Sequence, residues 1–215
     1  METIGHILIA DDHPMFREAL RHVVAGTLPN HTIVEASSFD EVMAAAKDHD
    51  QDLILLDIDM PGMNGFNGLI ALRNQVPTAP VVVVSADESR ESVRQALSLG
   101  ASGFVPKSMD REHMASAIQT VLSGEIFVPF SLGERGAASP YRDNDDAFRQ
   151  GYATLTSQQR KVLEMLVLGR PNKVIAYEMN ITESTVKAHV SAILHKLQVT
   201  SRTQAVLQAG KMLNR

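Results

Sequence analysis

Short apolar runs alternate with amphipathic segments along roughly the first 124 residues. Each run is bounded by polar or turn residues, which is typical of a strand buried on both faces of a parallel sheet. Between the runs, apolar residues recur at helical spacing. The five runs cover residues 6–10, 32–36, 53–57, 80–85 and 103–106. Their alternation with five helices predicts an α/β doubly wound, five-stranded parallel sheet.

The pattern changes after residue 124. Residues 125–151 contain several Gly, Ser, Pro and Asp residues and predict a linker, whose first part, 125–130, is expected to run as an extended arm along the first domain. Residues 152–215 show helical spacing with short loops, and Thr156 and Gln159 have the spacing of a capping box. We therefore expect two domains, 1–124 and 152–215, the second small and all-α.

One of the predicted strands ends in an acid, because the apolar run 53–56 leads directly into Asp57. An unpaired charge at the end of a buried strand is costly, so Asp57 is expected to have a partner. The carboxyl ends of parallel strands meet at one edge of the sheet, where open α/β sheets bind ligands. The polar residues at the other strand ends are Asp11, Asp12, Ser85 and Lys107. We expect all of them to lie close together.

These residue types favour one kind of chemistry. Carboxylates and loop carbonyls form the oxygen site that Mg²⁺ prefers, and Lys107 can hold a phosphoryl group as a point charge. The Ser85 hydroxyl can bond to a phosphoryl oxygen, for which the small Ala86 leaves space. No His, Ser or Cys is expected beside a possible base at this edge. The pattern therefore predicts phosphoryl transfer to a carboxylate, with a metal neutralising charge.

The charges are divided unevenly along the chain. Residues 1–149 hold 22 acidic and 11 basic side chains, whereas residues 150–215 hold 3 acidic and 9 basic ones. A basic module joined to an acidic body is expected to meet a polyanion such as nucleic acid. The chain has no cysteine, which excludes a thiolate site and fits a reducing cytosol. Without a signal-peptide pattern or an apolar run long enough for a bilayer, the expected location is cytoplasmic, with no membrane contact.

The predicted helix over about 183–197 has two distinct faces. Its inward stripe is apolar and comprises Val186, Val190, Ile193, Leu194 and Leu197. Its opposite face is small or basic and comprises Ser184, Lys187, Ala188, Ser191 and His195. Such a face can approach the DNA major groove closely, and the preceding helix and tight turn predict a helix-turn-helix. Nearby basic residues would neutralise phosphates: Arg170, Lys173, Lys196 and Arg202. An ordinary helical bundle with a polar outer face is the alternative.

Residues 1–124 resemble the CheY-like receiver domain of two-component response regulators. The matching residues are Asp11-Asp12, the Asp57 that ends LILLD, Met60-Pro61-Gly62, Ser85-Ala86, Phe104 and Lys107. The resemblance implies that Asp57 is the phosphoacceptor. It implies an Mg²⁺ (or Mn²⁺) site with Asp12 as a direct ligand, Asp11 as a nearby or water-mediated one, and Asp59 binding through its backbone carbonyl.

The same resemblance assigns the phosphoryl-binding and switch residues. Ser85, Ala86 and Lys107 would hold the phosphoryl oxygens, and Ser85 with Phe104 would form the switch. The sequence departs from the family where Pro106 precedes Lys107 and Ser108 follows it, which disfavours a cis peptide after the lysine. It also places extra acids, Asp59 and Asp87, two residues after Asp57 and Ser85. We hypothesise that these acids modulate the lifetime of the acyl phosphate.

Residues 155–209 resemble the LuxR-type DNA-binding domain of the NarL/FixJ response regulators. The matching segments are Leu155-Thr156, Arg160–Leu163, Asn172–Ala176, Thr185–Val190, Leu194–Leu197 and Ser201–Ala205. The resemblance implies that Lys187, Ala188 and Ser191 face the bases. Lys187 is expected to make most of the base contacts, because the side chains of Ala188 and Ser191 are short. DNA shape is therefore expected to contribute to recognition. The residues expected at the DNA backbone are Lys173, Ser184, Thr185 and Lys196.

Together these features predict a transcriptional response regulator that is no enzyme beyond slow autodephosphorylation. A partner histidine kinase would phosphorylate Asp57. This would either free the DNA-binding helix or promote homodimerisation on a two-half-site operator, with Val206, Ala209 and Met212 as a candidate dimer surface. Two alternatives stay open. One is a phosphatase of the haloacid dehalogenase type, built on Asp57 and Asp59, although Pro61 departs from its pattern. The other is a DNA binder independent of phosphorylation.

Overall fold

The computed structural model describes residues 5–48, 51–129, 145–199 and 201–213. Most of the predicted linker, residues 130–144, lies outside the described residues. Residues 1–4, which belong to the segment where we expect no signal peptide, also lie outside them. Among the described residues, no helix combines the length and apolar character that crossing a bilayer requires.

The predicted parallel sheet is confirmed. Its strands are β1 (Gly5–Ala10), β2 (His31–Ala36), β3 (Gln51–Asp57), β4 (Val81–Ser85) and β5 (Gly103–Pro106). The strand order is β2-β1-β3-β4-β5, and every neighbouring pair is parallel. The order reverses between β1 and β3, so their carboxyl ends flank a crevice of the kind in which such sheets bind ligands.

Five helices cover the two faces of the sheet: α1 (Pro14–Thr27), α2 (Phe39–Asp48), α3 (Phe66–Gln75), α4 (Arg90–Ser98) and α5 (Arg111–Leu122). Successive strand residues point to opposite faces. Leu8 and Ile54 are therefore packed under α2, α3 and α4. Ile7 and Leu53 are packed under α1 and α5. This double burial explains why the strands are continuous apolar runs rather than alternating ones.

The expected arm is present over residues 125–129. The backbone N–H of Phe104 donates to the Phe127 carbonyl at 3.1 Å, and the Phe127 N–H donates to the Ser102 carbonyl at 3.2 Å. Phe127 forms an isolated parallel bridge with Gly103. The arm thus covers part of the outer edge of β5, which is otherwise a row of unpaired backbone groups. Phe130, the last residue of the predicted arm, lies outside the described residues.

The second domain consists of α6 (Asp145–Ala153), α7 (Ser157–Val167), α8 (Asn172–Met179), α9 (Glu183–Leu197) and α10 (Arg202–Leu213). The predicted capping box is confirmed, with Thr156 Oγ1 accepting from the Gln159 N–H at 3.3 Å and Gln159 Oε1 from the Thr156 N–H at 3.0 Å. The linker prediction is wrong over 145–151, which form most of α6. Phe148 is buried in the core of the second domain, and Tyr152 of the same helix packs against that core. The helix is therefore held by packing, which the polar composition of the segment does not reveal.

The candidate dimer surface on α10 is also corrected. Ala209 is fully buried in the core of the second domain, so it cannot contact a partner chain. Val206 and Met212 are half-buried and pack against the same core. The apolar stripe of α10 therefore serves the core of its own domain, which is the usual role of an amphipathic helix.

Candidate functional site

The carboxyl edge of the sheet gathers the predicted acidic and basic residues. Asp57 ends β3, Asp11 follows β1, Ser85 ends β4, and all three are fully buried. Lys107 follows β5, and its backbone N–H donates to the Ser85 carbonyl at 2.8 Å. The convergence expected from the strand ends is therefore observed.

Lys107 bridges two carboxylates. Its Nζ lies 2.8 Å from Asp57 Oδ2 and 2.8 Å from Asp11 Oδ2, and 5.0 Å from the centre of the Phe16 ring, within cation–π range. Burial by itself lowers the pKa of Lys107, but its hydrogen bonds to Asp11 and Asp57, and their charges, outweigh burial and raise the pKa. The ammonium is thus held charged at the sheet edge. The backbone after Lys107 is trans, since no cis peptide occurs in the described residues.

Both oxygens of the Asp57 carboxylate are engaged. Oδ2 accepts from Lys107, and Oδ1 accepts from the Asp59 N–H at 2.9 Å. Burial raises the pKa of Asp57, and these hydrogen bonds only partly offset it. A buried carboxylate of raised basicity that is fixed at both oxygens is a positioned nucleophile.

The two extra acids differ in their surroundings. Ser85 Oγ donates to Asp59 Oδ2 at 3.5 Å, so the Asp59 carboxylate lies at the mouth of the site. The Asp87 carboxylate instead accepts from the Ser89 N–H at 2.9 Å and from the Ser92 hydroxyl. Hydrogen bonds from Ser92 first, and then from Ser89, lower the pKa of Asp87. Asp87 therefore belongs to the start of α4, whereas Asp59 belongs to the site.

Four neighbouring side chains could hold a metal ion. Asp11, Asp12, His13 and Asp57 each offer one ligand atom, and these atoms all lie within 4.8 Å of one another. Asp12 Oδ1 is buried and accepts no hydrogen bond from any residue that the structure describes. Three carboxylates with a buried oxygen left over fit a hard divalent cation.

His13 corrects one expectation. Its Nδ1 lies 2.7 Å from Asp12 Oδ1, so a histidine does stand beside a possible base at this edge. The sequence carried the signal, because His13 directly follows the two acids. Arg17 was also missed: its Nη1 donates to the Asp11 carbonyl at 2.7 Å and its Nε to Glu35 Oε2 at 2.9 Å, which ties α1 to the acid pocket.

The outward face of α9 lies partly against the first domain. Lys187 is half-buried, with Nζ 3.9 Å from Asp52 Oδ1, at the opposite end of β3 from Asp57. Glu183, Lys187 and Lys173 line a cavity of about 790 Å³ together with first-domain residues that include His31. The predicted inward stripe of α9 is confirmed as buried. The other residues of its outward face are exposed: Ser184, Thr185, Ala188, Ser191 and His195.

The two domains are docked through the α4–β5 loop and the first turn of α10. Ser102 Oγ lies 3.3 Å from Thr203 Oγ1, and Gln204 Nε2 donates to the Ser98 carbonyl at 3.0 Å. Gly100 has a φ of +93° and abuts Ser201 so closely that an added Cβ would lie 2.7 Å from Ser201 Oγ. Glycine at this position therefore permits both the left-handed turn and the close approach of the domains.

Two cations predicted at DNA are engaged within the second domain. Lys196 Nζ donates to the Thr154 carbonyl and to Gln159 Oε1, both at 2.9 Å. Arg202 donates to Asn172 Oδ1 at 3.1 Å and to the Arg170 carbonyl at 2.6 Å, and burial lowers its pKa to about 10. Their contact with DNA phosphates stays a prediction. Lys173 is exposed and available.

This fold and site define a class of protein: a two-domain chain in which an α/β domain with an acidic pocket is joined to a small helical domain. Residues 7–119 match the family described as response regulator receiver domain, and residues 153–209 match bacterial regulatory proteins of the luxR family. The chain belongs to the response regulator receiver family and, with its LuxR-type domain, is a DNA-binding transcriptional response regulator of a two-component system.

Relatives and solved structures agree with this assignment. The glycerol metabolism activator of Pseudomonas putida is 45% identical over 210 residues, covering 95% of this chain and 94% of that protein. The nitrate/nitrite response regulator NarL of Escherichia coli (strain K12) is 38% identical over 202 residues, covering 94% and 93%. The structure of two RcsB dimers bound to two parallel DNAs has the same fold, with a TM-score of 0.54, 18% identity and coverage of 97% and 98%. Family membership supports a regulator rather than the dehalogenase-type phosphatase.

Proposed function

We propose that a histidine kinase transfers a phosphoryl group to Asp57, and that the new charge releases the DNA-binding helix α9 from the receiver. The observation that carries the first part is the buried Asp57 carboxylate held 2.8 Å from Lys107 beside two further acids. The second part is supported by the position of Lys187, the expected base reader, against Asp52 of the receiver.

The proposed transfer uses residues already in place. An Asp57 oxygen attacks the phosphorus of a phosphohistidine, the P–N bond breaks, and the imidazole nitrogen leaves with the electron pair. Asp11, Asp12, Asp57 and the Asp59 carbonyl would hold Mg²⁺ or Mn²⁺, which supplies charge neutralisation when bound. Lys107 is close enough to transfer its contact from the Asp57 oxygen to the phosphoryl group. Ser85, with Ala86 leaving room, supplies a hydroxyl donor.

The output step follows from the docked domains. As Ser85 turns towards the phosphoryl group, the packing around the switch residue Phe104 is proposed to change, because its ring already lies inside the domain before phosphorylation. Phe104 is fully buried in β5, whose first residues lie next to the Ser102–Thr203 contact between the domains. We therefore favour release of α9 over dimerisation as the first event. Homodimerisation on a two-half-site operator would follow, as the RcsB dimers on DNA suggest by analogy of fold.

Phosphodonor treatment tests the site directly. Wild type is expected to take up one phosphoryl group per chain and to gain affinity for DNA selected from a random pool. Asp57→Asn is expected to take up none and to gain no affinity. Asp48→Asn, at an exposed acid on α2, is the matched control and should behave as wild type. Equal phosphoryl uptake by wild type and Asp57→Asn contradicts the site, and equal DNA affinity with and without phosphodonor supports a phosphorylation-independent DNA binder.

Autodephosphorylation is the second proposed activity, and Asp59 is proposed to set its rate. The Asp59 carboxylate accepts from Ser85 Oγ and competes with a phosphoryl oxygen for that hydroxyl. Asp59→Ala is therefore expected to slow loss of the phosphoryl group by roughly fivefold, the worth of about one hydrogen bond. Asp87→Ala should change the rate less, because that carboxylate is bound to Ser89 and Ser92. The rate of phosphoryl loss is measured by mass spectrometry of the intact chain. An unchanged rate for Asp59→Ala would refute the proposed role of Asp59 in autodephosphorylation.

A further inference from the structure

We propose that His13 is a ligand of the metal ion at the acid pocket, and that its imidazole makes the site prefer Mn²⁺ and similar transition ions over Mg²⁺. This inference rests on the proposed metal site of Asp11, Asp12 and Asp57 and adds a nitrogen donor to it. Imidazole suits first-row transition ions, whereas Mg²⁺ binds oxygen ligands.

The His13 nitrogen has the spacing from two carboxylate oxygens that adjacent ligands of an octahedral cation have. Neighbouring ligands of such an ion lie about 3 Å apart, given bonds of about 2.1 Å. His13 Nδ1 lies 2.7 Å from Asp12 Oδ1 and 3.3 Å from Asp11 Oδ1. The imidazole nitrogen is therefore spaced from both carboxylates as adjacent ligands of one ion are.

The buried Asp12 Oδ1 has an acceptor position left for an ion. His13 Nδ1 lies 2.7 Å away, and no residue described here donates a hydrogen bond to this oxygen. A metal ion bound beside both atoms would satisfy the buried oxygen.

The backbone holds His13 in place. Its N–H donates to Asp11 Oδ1 at 2.8 Å, and it is the residue from which α1 starts, immediately before Pro14. Pro14 fixes the first helical φ and thereby the direction in which the chain leaves the acid pocket. The His13 side chain is exposed, so an ion can enter without rearrangement of the core.

Pulsed electron paramagnetic resonance on the full chain loaded with Mn²⁺ alone tests the assignment. Wild type is expected to show the nitrogen modulation of a coordinated imidazole, and His13→Ala to lack it. His113→Ala is the matched control, because His113 Nδ1 lies at the same 2.7 Å from an aspartate, Asp110, and neither residue belongs to the cluster of Asp11, Asp12, His13 and Asp57. Titrations should show about tenfold weaker Mn²⁺ binding in His13→Ala, with Mg²⁺ binding changed less than twofold.

The outcomes separate the two levels of the proposal. Mn²⁺ that binds wild type without nitrogen modulation overturns the role of His13 and leaves the carboxylate site standing. Mn²⁺ binding that Asp12→Asn does not weaken contradicts the proposed metal site itself. Modulation that disappears in both His13→Ala and His113→Ala would point to a folding defect of the variants and would contradict coordination specific to His13.

Discussion

Tryptophan in place of Ser102 is expected to raise the DNA affinity of the unphosphorylated chain by at least about tenfold. Ser102 is buried where β5 meets the second domain, with its hydroxyl 3.3 Å from Thr203 Oγ1. An indole cannot fit there without separating the domains. The apparent DNA affinity of a docked protein is the affinity of its open form multiplied by the fraction of molecules that are open. Opening the interface therefore raises the apparent affinity.

The measurement is fluorescence anisotropy with selected DNA, before and after phosphodonor treatment. Ser102→Trp is expected to bind nearly as well before treatment as after it. Ser116→Trp, at an exposed serine on α5, is the control and should keep the affinity gain of wild type. Thr203→Trp makes the same change from the other side of the interface, which guards against damage to β5. Domains that separate in small-angle scattering without any gain in affinity would contradict release of α9 as the output.

The second large effect is expected at Lys187. After phosphorylation, Lys187→Ala should bind selected DNA about 10–100-fold more weakly than wild type, since a good base contact contributes roughly 1–3 kcal/mol of discrimination. The loss should come with a relaxed preference at one base position of the selected site. Lys187 is the longest side chain on the outward face of α9, where Ala188 and Ser191 have little reach.

Lys161→Ala is the matched control for this experiment. Lys161 is an exposed lysine on α7, so its removal takes away the same charge from the same domain. A loss of affinity at Lys187 that equals the loss at Lys161, with unchanged base preference, would make Lys187 a phosphate contact rather than a base reader. Using the phosphorylated chain matters, because Lys187 also pairs with Asp52 in the docked form.

The local features of the fold could be predicted because their causes are local. A strand buried on both faces must be apolar throughout, which revealed β3 and β4. Helix starts were revealed by side chains that accept from free N–H groups, as Thr182 does for Thr185. The order of strand ends along the chain was enough to expect Asp11, Asp57 and Lys107 in one pocket, because parallel topology sends those ends to one edge.

Features that depend on packing escaped prediction. Arg73 reads as a surface residue of α3, yet it is buried and donates to the carbonyls of Pro77 and Ala79 before β4. Burial lowers its pKa to about 10. Residues 145–151 read as linker by composition, but Phe148 finds a core that exists only once α7 and α9 have assembled. The composition of a short segment does not reveal which distant residues will pack against it.

By itself, the sequence determined two domains, a parallel sheet with a carboxylate pocket, and a helix with one small, basic face, since each follows from periodicity, capping or strand order. The tertiary structure decided three further matters: that His13 stands beside Asp12, that the carboxylate of Asp59 rather than that of Asp87 accepts from the Ser85 hydroxyl, and that Lys187 lies against Asp52. Each of these is a contact set by rotamers or by the docking of separate elements. Such contacts depend on how folded elements pack against one another, and the spacing of residues along the chain does not specify that packing.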